Sequence, residues 1–146
     1  MDQNVIDFVK GKRIAVLGAS RTGKKFGNLV YTELKQRGYE AFLVHPEAEE
    51  IDGASCSPSL AALQGQVDGV VISVTPRKAV EALREAAAAG IKNIWIQQGA
   101  QSPEVMAAAS ELGLNPVTGK CILMYAEPVR SFHAWHRAFA RLFGQL

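Results

Sequence analysis

The chain has 146 residues, 48% of them hydrophobic and 21% charged, with a formal net charge of +2 at pH 7. This length fits one domain, and the composition supplies a core, which excludes a disordered chain. The small net charge favours neither a nucleic-acid nor a membrane partner, and no apolar run approaches the roughly 20 residues of a membrane span. The start lacks the features of a signal peptide. We therefore expect one cytoplasmic domain over residues 1–146.

Short apolar runs alternate with helical segments along the chain. This alternation is typical of a parallel sheet with helices on both faces. The predicted strands are 13–17, 40–45, 54–56, 67–74, 91–97 and 114–117. The predicted helices are a short one near 5–9, then 23–37, a brief helix opened by Ser57-Pro58, 75–90, 102–113 and an amphipathic C-terminal helix over about 128–144. The fold class is therefore α/β, a three-layer, doubly wound, mostly parallel sheet of five to six strands.

The two cysteines and the C-terminal aromatic residues have structural explanations. Cys56 and Cys121 are far apart and form no metal-ligand or redox spacing, so both are interpreted as packing residues. The apolar stripe of the C-terminal helix is expected to pack on its own protomer or on a second copy, which leaves a homodimer open.

The most informative segment joins the first strand to the first helix. Glycines there permit a tight turn and a close backbone approach to a ligand, and a helix start favours phosphate. In open α/β sheets, ligands bind at this edge, where the strand order reverses. The alternative is a plain strand-to-helix turn with solvated lysines. The predicted phosphate-binding loop comprises Gly18, Ala19, Ser20, Arg21, Thr22, Gly23, Lys24 and Lys25.

Two common nucleotide fingerprints fit this loop poorly. The dinucleotide pattern G-x-G-x-x-G has Ser20 where its second glycine belongs, and no acid follows the second strand before Glu47. The P-loop pattern of nucleotide triphosphatases has Lys25 where a magnesium-binding hydroxyl is needed. The first mismatch argues against NAD, and the second argues against nucleotide hydrolysis.

An ordered set of motifs resembles the small stand-alone CoA-binding domain proteins, which are similar to the nucleotide-binding domain of the succinyl-CoA synthetase alpha subunit. The resemblance covers about residues 5–125. The motifs are Ile14-Ala15-Val16-Leu17-Gly18-Ala19-Ser20, Gly38-Tyr39, Val44-His45-Pro46, Ile51-Asp52-Gly53, Ser59-Leu60, Val67-Asp68, Trp95-Ile96-Gln97-Gln98-Gly99 and Gly119-Lys120-Cys121.

The resemblance implies a Rossmann-like sheet of strand order 3-2-1-4-5-6 that binds coenzyme A through its 3′-phospho-ADP portion. It implies that the loop surrounds phosphates, that further residues line the nucleotide, and that two glutamines approach the far end of the cofactor. Those further residues are His45, Pro46, Val74, Thr75 and Pro76, and the glutamines are Gln97 and Gln98.

Three positions depart from the family pattern. The family usually has asparagine at His45 and commonly proline at Arg21, and the synthetase subunit has a CoA-binding lysine where this chain continues with Glu47-Ala48. The fold implied by the resemblance does not depend on these positions.

No catalytic constellation is evident. His133 and His136 lie on the basic face of the C-terminal helix, and the phosphorylated histidine of the synthetase belongs to a domain that this sequence does not include. We therefore expect non-catalytic binding of CoA or acyl-CoA, with no catalytic residues and no metal. The alternative is an NAD(P)-binding oxidoreductase domain.

Overall fold

The computed structural model describes residues 2–127, so the predicted helix over 128–144 lies outside the described residues. The helices are α1 (Gln3–Lys10), α2 (Phe26–Gln36), α3 (Pro76–Ala88) and α4 (Pro103–Glu111), with 3-10 turns at Ala61–Leu63 and Ile122–Met124. The strands are β1 (Arg13–Leu17), β2 (Glu40–Val44), β3 (Glu50–Ile51), β4 (Ala54–Ser57), β5 (Gly69–Ile72) and β6 (Asn93–Ile96).

The sheet has the order β3-β4-β2-β1-β5-β6. β1 is central and pairs in parallel with β2 on one side and β5 on the other, so the strand order reverses at β1. Leu17, the last residue of β1, is in register with Val44 of β2 and Ile72 of β5. The carboxyl ends of these three strands therefore lie side by side at one edge of the sheet.

Helices cover both faces of the sheet. α3 and α4 pack on one face, where Leu83 and Val105 are fully buried against β5 and β6 residues. α1 and α2 pack on the other, together with the 3-10 turn Ile122–Met124, where Phe8 stacks edge-on against Trp95 at 5.3 Å between ring centroids. Both faces of the central strands are therefore apolar, which explains their continuous hydrophobic runs. The predicted Rossmann-like α/β fold is confirmed.

The sheet differs from the predicted one at its two edges. Asp52 and Gly53 have φ of 51° and 80°, which forms a tight hairpin and adds the two-residue antiparallel strand β3. At the other edge, the predicted strand 114–117 is reduced to one parallel bridge between Trp95 and Val117. Pro116 precedes this bridge and has no N–H with which to extend the ladder.

Two predicted helix starts also differ. α2 begins at Phe26 instead of Gly23, because Gly23 has a φ of 75° that no helical residue adopts. The brief helix after β4 is the turn Ala61–Leu63, and Ser57, which was predicted to cap it, is the last residue of β4. Ser59 accepts a hydrogen bond from the amide of Ala62 in its place.

Asp68 joins the amino ends of β1 and β5, on the edge opposite the reversal point. Its carboxylate accepts hydrogen bonds from the amides of Lys12 and Arg13 at 3.0 and 2.9 Å and from the Arg13 guanidinium at 3.0 Å. The guanidinium hydrogen bond is the largest of the effects that hold the pKa of Asp68 below its ordinary value. This acid therefore stabilises the strand start and lies away from the cleft described below.

Candidate functional site

A cleft of about 420 Å³ lies at the carboxyl edge of the sheet, above the end of β1. Its walls come from the glycine loop, the end of β2, the segment after β4 and the first turns of α3. Its lining residues are Leu17, Gly18, Ala19, Ser20, Lys25, Val44, His45, Pro46, Glu47, Pro58, Ser59, Val74, Lys78, Glu81, Ala82 and Glu85. The cleft thus occupies the place where open α/β sheets bind their ligands.

Two glycines allow three backbone segments to meet at the base of the cleft. Gly18 has a φ of 118°, and a Cβ atom there would lie 2.0 Å from the carbonyl oxygen of Ser73, just after β5. A Cβ atom at Gly27 would lie 2.4 Å from the carbonyl carbon of Gly18. Neither position admits a side chain without displacing backbone, so α2 and the loop can approach this closely only with glycine at both.

Asn28 holds the loop in place through its side chain, although it was not among the predicted site residues. Its side-chain oxygen accepts hydrogen bonds from the amides of Ser20 at 2.9 Å and Lys25 at 3.2 Å, and its amide group donates to the Ser20 carbonyl at 3.0 Å. The residue is only 8% exposed. Because Ser20 and Lys25 both line the cleft, Asn28 fixes the part of the loop that a ligand would meet. An asparagine at the third helical position was the available sequence signal.

The outer part of the loop turns toward solvent. Arg21, Thr22, Gly23 and Lys24 are exposed and do not line the cleft. Thr22 shares a hydrogen bond of 2.9 Å with the Ser20 hydroxyl. The Arg21 guanidinium lies 3.4 Å from a carboxylate oxygen of Glu47, in an exposed ion pair.

His45 holds the turn that follows β2. Its Nδ1 accepts hydrogen bonds from the amides of Glu47 at 3.0 Å and Ala48 at 2.9 Å. An asparagine side-chain oxygen makes the same local bonds in an Asx-turn, which explains how histidine can stand where the family usually has asparagine. Since Nδ1 is an acceptor here, the ring proton of the neutral imidazole is on Nε2.

One face of α3 contributes charged residues that were not among the predicted site residues. Lys78, Glu81 and Glu85 lie three and four residues apart, which places them on the same side of the helix, facing the cleft. A carboxylate oxygen of Glu85 also accepts the amide of Leu60, which ties the segment after β4 to α3. The i, i+3, i+7 spacing was visible in the sequence, but only the fold shows that this face borders the loop.

The remaining predicted residues have different surroundings. Thr75 is the N-cap residue of α3, and Pro76 is the first residue of that helix. Gln97 is 3% exposed, and its side-chain oxygen accepts the amide of Ile122 at 3.0 Å, so it fastens the segment after Gly119 to the sheet. Gln98 is exposed and donates to the carbonyl of Gly119 at 3.4 Å.

The structure therefore divides the predicted site residues into two groups. Those that line the cleft are Gly18, Ala19, Ser20, Lys25, His45, Pro46 and Val74. Those that do not line it are Arg21, Thr22, Gly23, Lys24, Thr75, Pro76, Gln97 and Gln98.

The cysteines belong to the packing and not to the cleft. Cys121 is fully buried, and burial raises the pKa of its thiol. Burial is also the first cause of the raised pKa of Cys56, which is partly buried. Within residues 2–127, no group of three histidine, cysteine or acidic side chains is placed to hold a metal ion. Over the same residues, no helix is long and apolar enough to cross a membrane.

Comparisons with known proteins match this architecture. An ADP-forming acetate–CoA ligase II of Archaeoglobus fulgidus is 35% identical over 100 residues, 67% of this chain and 15% of that protein. The alpha subunit of ADP-forming acetate–CoA ligase II from Pyrococcus furiosus is 27% identical over 126 residues, 79% of this chain and 28% of the subunit. The chain thus spans less than a third of either ligase chain.

One solved structure has the same fold, and almost the whole of that structure is matched. It is a conserved hypothetical protein of Pyrococcus furiosus, 35% identical with a TM-score of 0.71, and the match covers 76% of this chain and 96% of that one. Residues 12–127 match the family described as the CoA binding domain, which confirms the resemblance drawn from the sequence motifs. The chain therefore belongs to the CoA-binding domain family.

Proposed function

We propose that the chain binds coenzyme A in the carboxyl-edge cleft, with Gly18, Ala19, Ser20 and Lys25 of the loop around the diphosphate. The observation that carries this proposal is the position of the cleft: it lies at the strand-order reversal and is lined by the glycine loop and two lysines, Lys25 and Lys78. Membership of the CoA-binding domain family supports CoA as the ligand.

The lining residues suit the parts of this ligand. Lys25 and Lys78 supply positive charge to phosphate oxygens, and the Ser20 hydroxyl donates a hydrogen bond to them. His45-Pro46 and Val74 border the part of the cleft between β2 and β5, where an adenosine would lie. Pro46 and Val74 would supply apolar surface for the adenosine.

We further propose that binding leaves the ligand chemically unchanged. Cys121 offers no thiolate to the cleft, because it is buried and its pKa is raised by that burial. Nδ1 of His45 already accepts hydrogen bonds from the turn after β2. The neutral ring then carries its proton on Nε2, so neither nitrogen is free to act as a general base. The role is then to hold CoA or an acyl-CoA as a binding domain.

Calorimetric titration with CoA, NAD and ATP tests the ligand. We expect saturable binding of CoA, with weaker binding of NAD and ATP. NAD binding as tightly as CoA would contradict the proposal and favour the dinucleotide-binding alternative. Lys10→Ala, an exposed lysine of α1 that does not line the cleft, is the matched control for lysine substitutions in the cleft.

A thioesterase assay with a panel of acyl-CoAs tests the absence of turnover. We expect no hydrolysis above the rate without protein, and no difference between the wild type and Cys121→Ser. Hydrolysis that rises with protein concentration and is lost in Cys121→Ser would show that the chain is an enzyme.

A further inference from the structure

Glu47 occupies a position with a defined meaning in nucleotide-binding sheets. It follows His45-Pro46 at the end of β2, which is the neighbour of β1 on one side of the reversal point, and it lines the cleft. In such sheets, an acid near the end of the second strand accepts hydrogen bonds from the ribose hydroxyls of the bound nucleotide. The fold therefore places Glu47 at the rim of the cleft, on the side of β2.

The backbone that carries this carboxylate is fixed. The amides of Glu47 and Ala48 both donate to Nδ1 of His45, at 3.0 and 2.9 Å. His45 is in turn held to β4, since its amide donates to the Ser57 carbonyl at 3.0 Å. The Glu47 side chain is 74% exposed and can reorient, but its point of attachment at the rim of the cleft does not move freely.

The charges around the cleft disfavour a third phosphate at this rim. Three acidic residues, Glu47, Glu81 and Glu85, line the cleft beside the two lysines, Lys25 and Lys78. Glu47 lines the cleft and Arg21 does not, and the two side chains form an exposed ion pair at 3.4 Å, so Glu47 also engages the guanidinium that could otherwise meet a phosphate. Like charges at close range oppose binding.

We propose that Glu47 is a specificity-determining residue that selects a nucleotide whose ribose 2′ and 3′ hydroxyls are both free. Its carboxylate accepts hydrogen bonds from free ribose hydroxyls and repels a phosphate attached to the same ribose. Among ligands of the CoA type, dephospho-CoA, which lacks only the 3′-phosphate, then binds more tightly than CoA. This inference rests on the proposed function, because it assumes that the nucleotide occupies the carboxyl-edge cleft.

The test is a calorimetric titration of the full chain with CoA and with dephospho-CoA, at one low ionic strength. For the wild type we expect dephospho-CoA to bind about tenfold more tightly, the size of a like-charge interaction across a few ångströms of solvent-exposed space. Glu47→Gln should bring the ratio of the two dissociation constants close to one. The matched control is Glu49→Gln, an exposed acid two residues on that does not line the cleft and should keep the wild-type ratio.

The outcomes separate this inference from the proposed function. CoA binding at least as tightly as dephospho-CoA to the wild type, or an unchanged ratio in Glu47→Gln, would overturn the role of Glu47 while leaving the cleft as a CoA site. Saturable binding of neither compound would overturn the proposed function and this inference together.

Discussion

Asn28→Ala should destabilise the protein and weaken its ligand site at the same time. The substitution removes two hydrogen bonds accepted from the Ser20 and Lys25 amides and one donated to the Ser20 carbonyl. At about 0.5–1.5 kcal/mol each, three bonds amount to roughly 1.5–4.5 kcal/mol. Water can reach part of the exposed loop and replace some of these hydrogen bonds. We therefore expect the free energy of unfolding to fall by about 2 kcal/mol, in the lower half of that range.

Urea denaturation followed by circular dichroism measures this loss. We expect a lower midpoint with an unchanged m value, since the surface exposed on unfolding is nearly the same. Thr32→Ala, an exposed substitution on the same helix, is the control and should change the unfolding free energy by less than about 0.5 kcal/mol. A loss for Asn28→Ala no larger than that of Thr32→Ala would refute the reasoning that Asn28 organises the loop.

The second readout is ligand affinity below the unfolding transition. Because Asn28 positions Ser20 and Lys25, and both line the cleft, the variant should bind CoA more weakly even where it is fully folded. Unchanged affinity in a destabilised variant would mean that the loop geometry seen here does not matter for the ligand.

Three further predictions concern single side chains. Lys25→Ala should weaken CoA binding by about 1–3 kcal/mol in a calorimetric titration, and Lys24→Ala by less, because only Lys25 lines the cleft; equal losses would contradict the geometry. His45→Asn should keep the unfolding free energy within about 0.5 kcal/mol, while His45→Ala should lose about 1 kcal/mol, because only asparagine still accepts from the turn amides. Asp68→Asn should lower the free energy of unfolding by about 1 kcal/mol at pH 7. Since the folded pKa of Asp68 is lowered, its contribution is complete above the unfolded value of about 3.9 and is lost as the pH falls through the folded value, so urea midpoints of the wild type and Asp68→Asn should converge in acid.

Much of the fold could be predicted because its signals are local and repeated. The runs at β1 and β5 are continuously apolar, as strands covered on both faces must be, and Thr75-Pro76 and Ser102-Pro103 mark the starts of α3 and α4. The misplaced start of α2 has a different origin. It depends on the positive φ of Gly23, which a pattern of apolar spacing does not report.

The site was harder to predict because its lining combines segments that are distant in sequence. In the sequence, Arg21, Lys24 and Lys25 are equal candidates, but in the fold the outer part of the loop is exposed and only Lys25 of the three lines the cleft. Lys78 contributes from another element altogether. Hydrophobic periodicity identifies the buried face of α3, and it carries no information about which polar flank borders another loop.

Glu47 shows how a local turn can change a functional argument. The absence of an acid directly at the end of the second strand argued against a dinucleotide, on the assumption that the chain runs straight on from β2. The turn held by Nδ1 of His45 keeps Glu47 at the rim of the cleft, which is where the proposed binding mode puts the ribose. Discrimination between CoA and NAD must then depend on what lies beyond the diphosphate, and discrimination between CoA and dephospho-CoA on the charge at this rim. These two kinds of discrimination have separate physical causes. The paired titrations of Glu47→Gln and Glu49→Gln measure the discrimination between CoA and dephospho-CoA, because neither substitution changes the part of the ligand beyond the diphosphate.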